Sequence, residues 1–285
     1  MAWTPPDLSG RVAVVTGATR GVGRGVAEVL GECRATVYVT GRSTRDHPGV
    51  GPGTIEETAA AVDANGGWGV AVRVDHTDDA DVEALFARVR DEQGGLDLLV
   101  ANSWGGYQNY DRATFTSPFW EQPISRLDTM FATGLRTQFT AARGAAPMML
   151  ERGSGLIVCT GYTTPTHYLG SLPYDVVKAA VGRLVVGLAH ELRPHGVNAV
   201  GVWPGFTRTE AVVSSFAAGG QEPPPETHSP QFVGRAIASL LADPELPSLS
   251  GHGLQAAELA ARYGFTDVDD REIAPFAMPE DLRLA

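Results

Sequence analysis

The sequence predicts an α/β fold: a single doubly wound domain whose sheet has about seven parallel strands, with helices on both faces. Short apolar runs alternate along the chain with helical patterns, which is typical of βαβ units and a parallel sheet. The runs are bounded by Gly or Asp and are apolar throughout, as expected for strands buried on both faces. No repeat or linker divides the sequence. Residues 1–285 are therefore predicted to form one domain, with 258–285 as a C-terminal extension.

The individual elements follow from the same two patterns. Apolar runs predict strands at 11–16, 35–40, 68–74, 96–101, 155–160 and 197–203, and a weaker run at 253–257 would close the sheet. Helical patterns between them predict helices at about 22–31, 54–65, 79–93, 124–151, 172–193 and 231–242. Pro194 is expected to end the fifth helix because proline cannot donate the helix hydrogen bond.

Composition narrows the possible functions. The chain carries 33 acidic against 22 basic residues, a formal net charge of −11, which argues against nucleic acid as a partner. No apolar run approaches the ~18 residues of a membrane span, and the N-terminus lacks the pattern of a secretion signal. Cys33 and Cys159 are expected to be reduced core thiols of a cytoplasmic protein. The two histidines of "HELRPH" (190–195) are five positions apart with Pro194 between them, so we expect no metal site.

A glycine-rich stretch, "TGATRGVGRG", follows the first predicted strand and precedes the first helix. Small residues here let backbone amides approach a pyrophosphate at the helix N-terminus, so Gly17, Gly21 and Gly23 are predicted to bind a dinucleotide. The alternative is a tight βα turn without a ligand. Because strand, loop and helix stand in the order of a βαβ unit, the dinucleotide interpretation is favoured.

The end of the second strand indicates which dinucleotide is bound. An acidic residue there would bind the ribose 2′-hydroxyl of NAD, whereas an arginine suits the 2′-phosphate of NADP. The strand ends in "VTGR", with Arg42 and no acid, and Arg20 in the glycine loop is placed to reach the same phosphate. The predicted cofactor is therefore NADP(H). Either arginine alone would be an ordinary solvated charge.

Tyr174 and Lys178 are four residues apart in "LPYDVVKAAV" and would share one helix face. A tyrosine with pKa ~10 can donate a proton, and a neighbouring ammonium is expected to lower that pKa and ease proton exchange with a carbonyl or an alcohol. The alternative is a surface Tyr–Lys pair without chemistry. Their position after a glycine loop favours catalysis.

Four motifs resemble the short-chain dehydrogenase/reductase family and occur in its order and spacing: "TGATRGVG", "LLVANSWGG", "YDVVK" and "WPGFTRT". The resemblance covers about residues 8–260 and implies a Rossmann fold. The stretches "TVYVTGR", "AHELRPHGV" and "ARYGFTDVDD" are similar to the subgroup called family member one of the dehydrogenase/reductases.

The resemblance implies roles for further residues. Asp75 would meet the adenine amino group, Asn102 lies in the family's Asn-Asn-Ala-Gly segment, and Pro204, Gly205 and Thr207 would form the wall beside the nicotinamide. The full set of predicted cofactor-binding residues is Gly17, Thr19, Arg20, Gly21, Val22, Gly23, Arg42, Asp75, Asn102, Tyr174, Lys178, Pro204, Gly205, Thr207 and Thr209.

The sequence departs from the family at two catalytic positions. The family's serine should fall at Gly161 or Tyr162, and Phe131 stands where its asparagine is expected. Thr160 is the predicted substitute hydroxyl beside the catalytic pair, with Thr163, Thr164 and the phenol of Tyr162 as alternatives.

Aromatic residues occupy the segment between the fourth strand and the fourth helix: Tyr107, Tyr110, Phe115, Phe119 and Trp120. They would wall a substrate pocket, or hold down their own loop.

We therefore expect an NADP-dependent oxidoreductase with an atypical site, interconverting a carbonyl and an alcohol on a small, fairly apolar substrate. The alternatives are a non-redox lyase, cyclase or isomerase, and a dinucleotide-binding sensor or structural subunit. The resemblance also implies a homodimer or homotetramer formed through the long fourth and fifth helices.

Overall fold

The computed structural model describes residues 3–49, 51–107 and 112–284 of the chain. Seven strands in this part form the sheet: β1 (Val12–Thr16), β2 (Thr36–Gly41), β3 (Trp68–Arg73), β4 (Leu98–Ala101), β5 (Gly155–Thr160), β6 (Val197–Trp203) and β7 (Gly253–Gln255). Their order is β3-β2-β1-β4-β5-β6-β7, and every neighbouring pair is parallel. The predicted seven-stranded parallel sheet is confirmed.

Helices connect the strands across both faces. Those in the described residues are α1 (Gly21–Glu32), α2 (Ile55–Ala64), α3 (Asp79–Gln93), α4 (Arg112–Phe115), α5 (Ile124–Met130), α6 (Thr137–Arg152), α7 (Leu172–Leu192), α8 (Glu210–Ala218), α9 (Pro230–Ala242), α10 (Leu246–Leu249) and α11 (Ala256–Tyr263). Side chains from α1, α2, α9 and α11 pack on one face of the sheet, and those from α3, α6 and α7 pack on the other. None of these helices combines the length and the apolarity that crossing a membrane requires.

The helix predicted over 124–151 is interrupted. Between α5 and α6, residues Phe131–Arg136 form a π-helical stretch. The hydroxyls of Thr133 and Thr137 donate to the carbonyl oxygens of Thr129 (2.7 Å) and Thr133 (3.0 Å), each four residues earlier. Such bonds compete with the regular helix ladder, and π-helical turns of this kind are frequent at functional sites.

The strand predicted over 253–257 is shorter than expected, because a helix begins within it. Gln255 and Glu258 form a reciprocal capping box that starts α11 at Ala256. Helices α4, α8, α10 and α11 were not among the predicted elements. The chain after α11 returns to the sheet edge, where the amide of Phe276 donates to Gln255 Oε1.

Close packing of α1 against α9 fixes the start of α1 relative to the sheet. A Cβ added at Gly25 would lie 2.4 Å from a backbone carbon of Pro230, and one at Gly234 would lie 2.8 Å from the carbonyl oxygen of Gly25. Glycine at both positions therefore permits the contact. The N-terminus of α1 is thereby placed at the carboxyl ends of β1 and β4, where doubly wound sheets bind their ligands.

Candidate active site

The loop between β1 and α1 leaves no room for side chains. Gly17 and Gly21 have φ angles of +64° and +56°, in the left-handed region that glycine adopts readily. A Cβ at Gly23 would lie 2.4 Å from the carbonyl oxygen of Gly17 and 2.6 Å from Asn102 Nδ2. The three predicted glycines thus lie together in a tight loop that exposes backbone amides at the start of α1.

Hydrogen bonds tie this loop to the ends of β4 and β5. Thr16 Oγ1 accepts the amides of Asn102 (2.8 Å) and Ser103 (2.9 Å). Asn102 Nδ2 donates to the carbonyl oxygens of Thr16 (3.0 Å) and Gly17 (3.2 Å). Thr160 Oγ1 donates to Asn102 Oδ1 at 3.2 Å, so its hydroxyl is bonded to the loop side of the site. Asn102 therefore shapes the predicted cofactor loop, and the catalytic role of Thr160 stays a prediction.

The N-terminus of α1 is an anion site by its contacts. The amide of Gly21 donates to Glu210 Oε2 at 2.9 Å, so a carboxylate lies on an amide that a pyrophosphate would use. Thr209 caps α8 beside it, and its methyl group lies 3.3 Å from the position of a Cβ at Gly21. A cavity of about 550 Å³ opens between α1 and α8. This donor set fits the phosphates of a dinucleotide.

The two predicted arginines lie near the ends of β1 and β2, each with a contact of its own. Arg42 Nη1 lies 3.7 Å from Asp75 Oδ2, and the Arg42 side chain is 53% exposed. Arg20 Nη1 donates to the carbonyl oxygen of Pro52 at 3.3 Å. Thr19 is buried, and its methyl group lies 2.8 Å from the position of a Cβ at Gly41, so glycine is needed at the end of β2.

Two buried hydroxyls near the predicted cofactor loop and the segment after β6 have no partner among the described residues. They are Ser103 Oγ, beside Gly17, and Thr207 Oγ1. A bound ligand would satisfy such groups, because buried polar atoms are rarely left unpaired. Pro204 precedes Gly205, whose φ of +81° turns the chain after β6. Val22, in the first turn of α1, packs on the core below this site.

Lys178 is the only lysine among the 22 basic residues of the chain. It lies on the second turn of α7 and is 8% exposed. Its Nζ stands 3.9 Å from the ring centroid of Trp104 and 5.4 Å from that of Tyr174. Burial lowers the pKa of the Lys178 ammonium to about 8. Aromatic faces attract a cation but solvate it less well than water, which accounts for the direction of the shift.

Tyr174 lies within an aromatic cluster, which we define as Trp104, Tyr107, Phe115 and Tyr174. Its ring centroid is 5.7 Å from Trp104, 6.2 Å from Tyr107 and 5.9 Å from Phe115. Burial raises the pKa of Tyr174, while a hydrogen bond from Tyr107 acts to lower it. The net shift is upward, opposite to the lowering expected beside an ammonium, because the apolar surroundings penalise the phenolate more than its neighbours stabilise it.

The positions expected for the family's serine are filled differently. A Cβ at Gly161 would lie 2.9 Å from the Trp203 ring and 3.1 Å from Val181, so position 161 has no space for a serine side chain. The Tyr162 ring meets Phe276 edge-on at 5.7 Å. Phe131, at the position expected for the family's asparagine, is the first residue of the π-helical stretch.

The aromatic segment before α5 divides into two parts. Tyr107 and Phe115 contact Tyr174 and so line the site, as one of the two interpretations requires. Phe119 and Trp120 are 57% and 72% exposed and pack on each other at 5.3 Å. Tyr110 lies outside the described residues.

Four residues of the site were not predicted: Ser103, Trp104, Glu210 and Phe276. Glu210 follows "WPGFTRT" directly, and Trp104 lies two residues after Asn102 within "VANSWGG". Their positions in or beside these motifs could have indicated that both belong to the site. Phe276 lies 21 residues after Gln255 in the C-terminal stretch, and no sequence pattern connects it to the site. The single lysine was a further signal for Lys178 itself.

We predict that Lys178 titrates near pH 8. Selective ¹³C or ¹⁵N labelling of lysine yields one side-chain signal, because the chain has one lysine. Its midpoint is expected at about 8 rather than the ordinary 10.5, since burial disfavours the ammonium. Lys178→Met, which removes the signal, is the control. A midpoint close to 10.5 would contradict the buried position.

The same shift has a consequence for stability with a definite sign. Between the folded pKa of about 8 and the ordinary value of 10.5, the unfolded chain holds a proton that the folded protein has released. The free energy of unfolding should therefore rise with pH in this window, by at most ~1.4 kcal/mol per pH unit. Urea unfolding of Lys178→Met, compared with the native chain at pH 8 and 10, isolates this contribution.

Comparisons with known proteins agree with this geometry. The model of the short chain dehydrogenase family matches residues 11–219. Dehydrogenase/reductase SDR family member 1 of Mus musculus is 38% identical over 283 residues, covering 94% of this chain and 87% of that protein. The protein of the same name from Homo sapiens is 36% identical over 280 residues, with the same two coverages.

Solved structures show the same fold. A short chain dehydrogenase from Mycobacterium thermoresistibile aligns with a TM-score of 0.81 and 25% identity, covering 97% of this chain and 95% of that one. A 7α-hydroxysteroid dehydrogenase complexed with NADH and 7-oxo glycochenodeoxycholic acid aligns with a TM-score of 0.71 and 23% identity, covering 87% and 93%. With its family motifs, its sheet order and its relatives in agreement, the chain belongs to the short-chain dehydrogenase/reductase family and resembles its family member 1.

Proposed function

We propose that this oxidoreductase uses NADP(H) to interconvert a carbonyl and an alcohol on a small, fairly apolar molecule. The observation that carries the proposal is the placement of Tyr174 and the single lysine, Lys178, within the aromatic cluster beside the glycine loop. The family uses nicotinamide cofactors, and the loop amides, Ser103 and Thr207 fit such a group.

The chemistry assigned to the side chains is proton transfer and positioning. When bound, NADPH would supply the hydride for reduction of the carbonyl. Tyr174 gives its phenolic proton to the carbonyl oxygen, which completes the alcohol. Its raised pKa keeps the phenol protonated at neutral pH, so it is ready to act as the acid. Lys178 supplies positive charge below a pH of about 8, its pKa.

The substrate class is inferred from the aromatic rings that lie around Tyr174. The aromatic cluster surrounds the Tyr174 phenol, and Tyr162 with Phe276 adds two further rings at the end of β5. These surfaces favour an apolar or aromatic carbonyl compound over a charged one, because burying an unpaired charge beside them is costly.

The preference for NADP rests on Gly41 and Arg42 at the end of β2. An acidic side chain at position 41 would be the usual partner of a ribose 2′-hydroxyl, and glycine there leaves no such group. Arg42 is half exposed beside Asp75, so its guanidinium is free to pair with a 2′-phosphate without loss of a buried contact. Arg20 lies against the adjoining loop at Pro52.

A non-redox enzyme or a dinucleotide-binding sensor is the second candidate. The observation that favours it is the absence of a short hydroxyl at Gly161 and Tyr162 and of an amide at Phe131, where the family's serine and asparagine are expected. Loss of one such donor costs ~3 kcal/mol of transition-state stabilisation. The intact Tyr174 and Lys178 favour oxidoreduction.

We further propose a homodimer or homotetramer in the cytoplasm. Apolar side chains of α6 and α7 are exposed on the surface, among them Phe139 (53%), Val176 (43%) and Val186 (41%), which suits pairing of like surfaces across a two-fold axis. A monomeric mass by light scattering at micromolar concentration would exclude this assembly.

The buried, unpaired Cys33 and Cys159 agree with a reducing compartment.

The central prediction concerns Tyr174→Phe. This variant should lose turnover of carbonyl substrates by about a thousandfold, because the acid is removed, while NADPH binding changes little, because the ring remains. A panel of carbonyl and alcohol substrates, followed by NADPH absorbance, measures turnover, and Tyr168→Phe is the matched control. Undiminished turnover in Tyr174→Phe would exclude Tyr174 as the acid. Tight NADPH binding by the native chain without any turnover would favour the second candidate.

A second prediction concerns cofactor choice. NADPH should bind more tightly than NADH, and Arg42→Ala should lower that preference about tenfold, because a charge-assisted contact to NADPH is lost. The affinity for NADH should not change. Fluorescence titration with both cofactors measures this effect. Arg34→Ala, which removes an exposed arginine paired with Asp7, is the control. Equal affinities of the native chain for the two cofactors would contradict the proposal.

A third prediction concerns Glu210. Replacing Glu210 by glutamine retains a side chain of the same shape but removes the carboxylate that lies on the Gly21 amide. The variant should bind NADPH about fivefold more tightly, because a like charge near the pyrophosphate is lost. Glu83→Gln, an exposed position on α3, gives the same change in net charge as a control. Unchanged or weaker binding by Glu210→Gln would show that the carboxylate does not compete.

A further inference from the structure

The proposed reaction needs a second hydrogen-bond donor near the reacting oxygen, and the chain lacks the expected serine. The three threonines predicted as substitutes make other contacts. Thr160 Oγ1 donates to Asn102 Oδ1, and Thr164 Oγ1 is bonded to Thr166 Oγ1 at 3.0 Å. Thr163 packs its methyl group against α7, 2.7 Å from the position of a Cβ at Gly182. None of these contacts directs a hydroxyl to Tyr174.

Tyr107 does direct its hydroxyl to Tyr174. The two rings lie nearly parallel at 21°, with centroids 6.2 Å apart. The side-chain interaction with Tyr107 acts to lower the pKa of Tyr174, as a hydrogen bond to its phenolate would. The donor comes from the loop after β4 rather than from the end of β5. It therefore approaches the reacting oxygen from a different side than a serine on β5 would.

We propose that Tyr107 supplies the second hydroxyl of the active site, donating a hydrogen bond to the Tyr174 phenolate and to the substrate oxygen that exchanges a proton with it. This inference rests on the proposed oxidoreductase function. It assigns to Tyr107 the stabilisation that the positions of Gly161 and Tyr162 do not provide.

The local packing holds Tyr107 in this place. Its ring meets Trp104 edge-on, with centroids 5.6 Å apart at 71°, and contacts Phe115 at 6.2 Å. The chain can turn back over Trp104 only because the intervening residue is glycine: a Cβ at Gly106 would lie 2.4 Å from the Trp104 ring. The hydroxyl end of Tyr107 therefore faces Tyr174, although the side chain as a whole is 49% exposed.

The geometry allows the donor to serve both oxygens. A substrate oxygen that accepts the Tyr174 proton would lie about 2.7 Å from the Tyr174 oxygen, and the side chain of Tyr107 already interacts with the Tyr174 phenol. A rotation of the Tyr107 hydroxyl hydrogen, with a small shift of the exposed side chain, moves the bond from one oxygen to the other. As charge develops on the Tyr174 phenolate, the Tyr107 hydroxyl stabilises it.

The test compares Tyr107→Phe with Tyr168→Phe as the matched control and with Tyr162→Phe as the competing candidate. Tyr162 carries the phenol that stands at a predicted serine position, so the comparison with Tyr107→Phe separates the two candidates. If the proposal holds, Tyr107→Phe lowers kcat by about a hundredfold and moves the basic limb of the pH profile upward. Tyr168→Phe keeps kcat within about threefold, far below the loss expected for a removed donor.

A second readout does not depend on turnover. The protein is labelled with 3-fluorotyrosine, whose phenol is more acidic than that of tyrosine, and the seven tyrosine signals are followed by ¹⁹F NMR against pH. The signal missing in Tyr174→Phe identifies Tyr174. Loss of the Tyr107 donor should raise the Tyr174 midpoint, because the phenolate loses its hydrogen bond.

The outcomes distinguish the two levels of the proposal. A native chain without turnover, combined with a raised Tyr174 midpoint in Tyr107→Phe, would refute the oxidoreductase function but keep the Tyr107–Tyr174 contact. Normal turnover in Tyr107→Phe with an unchanged Tyr174 midpoint would refute the role of Tyr107 and leave the oxidoreductase function intact. A loss confined to Tyr162→Phe would assign the second hydroxyl to Tyr162 instead.

Discussion

The hydrogen-bond chain from Thr16 through Asn102 to Thr160 joins the three strand ends on which the site is built. Thr16 ends β1, Asn102 follows β4 and Thr160 ends β5, so one connected set of polar groups holds three adjacent strands at their carboxyl edge. Parallel strands place their carboxyl ends on the same side of the sheet, and without such links the loops beyond them would be free to separate. The glycine loop is held to this chain by Asn102 Nδ2, at a distance that no side chain on Gly23 would permit.

Above this framework, burial in aromatic surroundings governs the charges. Burial favours the neutral forms of both Tyr174 and Lys178. It therefore raises the pKa of Tyr174 and lowers that of Lys178. A lysine can respond in this way, whereas an arginine keeps its proton at any ordinary pH. The chain has arginine at every basic position except this one, which suggests that position 178 requires a cation whose charge can be tuned.

The chain's own groups contact the donors that a substrate or cofactor would use. The Glu210 carboxylate lies on the Gly21 amide, the Trp104 ring lies over the Lys178 ammonium, and the Tyr107 phenol is bonded to Tyr174. Each contact satisfies a polar group that burial would otherwise leave unpaired. Each also involves an element outside the sheet: α8 for Glu210 and the loop after β4 for the two aromatic residues. Binding at this site is therefore coupled to the positions of these peripheral segments.

The sequence by itself determined the fold class, the glycine loop and the Tyr174–Lys178 pair. It also determined the order in which these motifs follow the strands along the chain. These features depend on local spacing. The period of apolar residues, the placement of glycines and a four-residue interval on a helix each involve only a few neighbouring residues. It also predicted that Tyr107 and Phe115 lie near the substrate, though with a loop-packing alternative. Only the tertiary structure decided which groups meet. Gly21 and Glu210 are 189 residues apart in sequence, and Phe276 reaches Tyr162 from the far end of the chain. The direction of the Tyr174 pKa shift was likewise decided by the structure, because it depends on how completely rings from separate segments exclude water, and no local pattern records that.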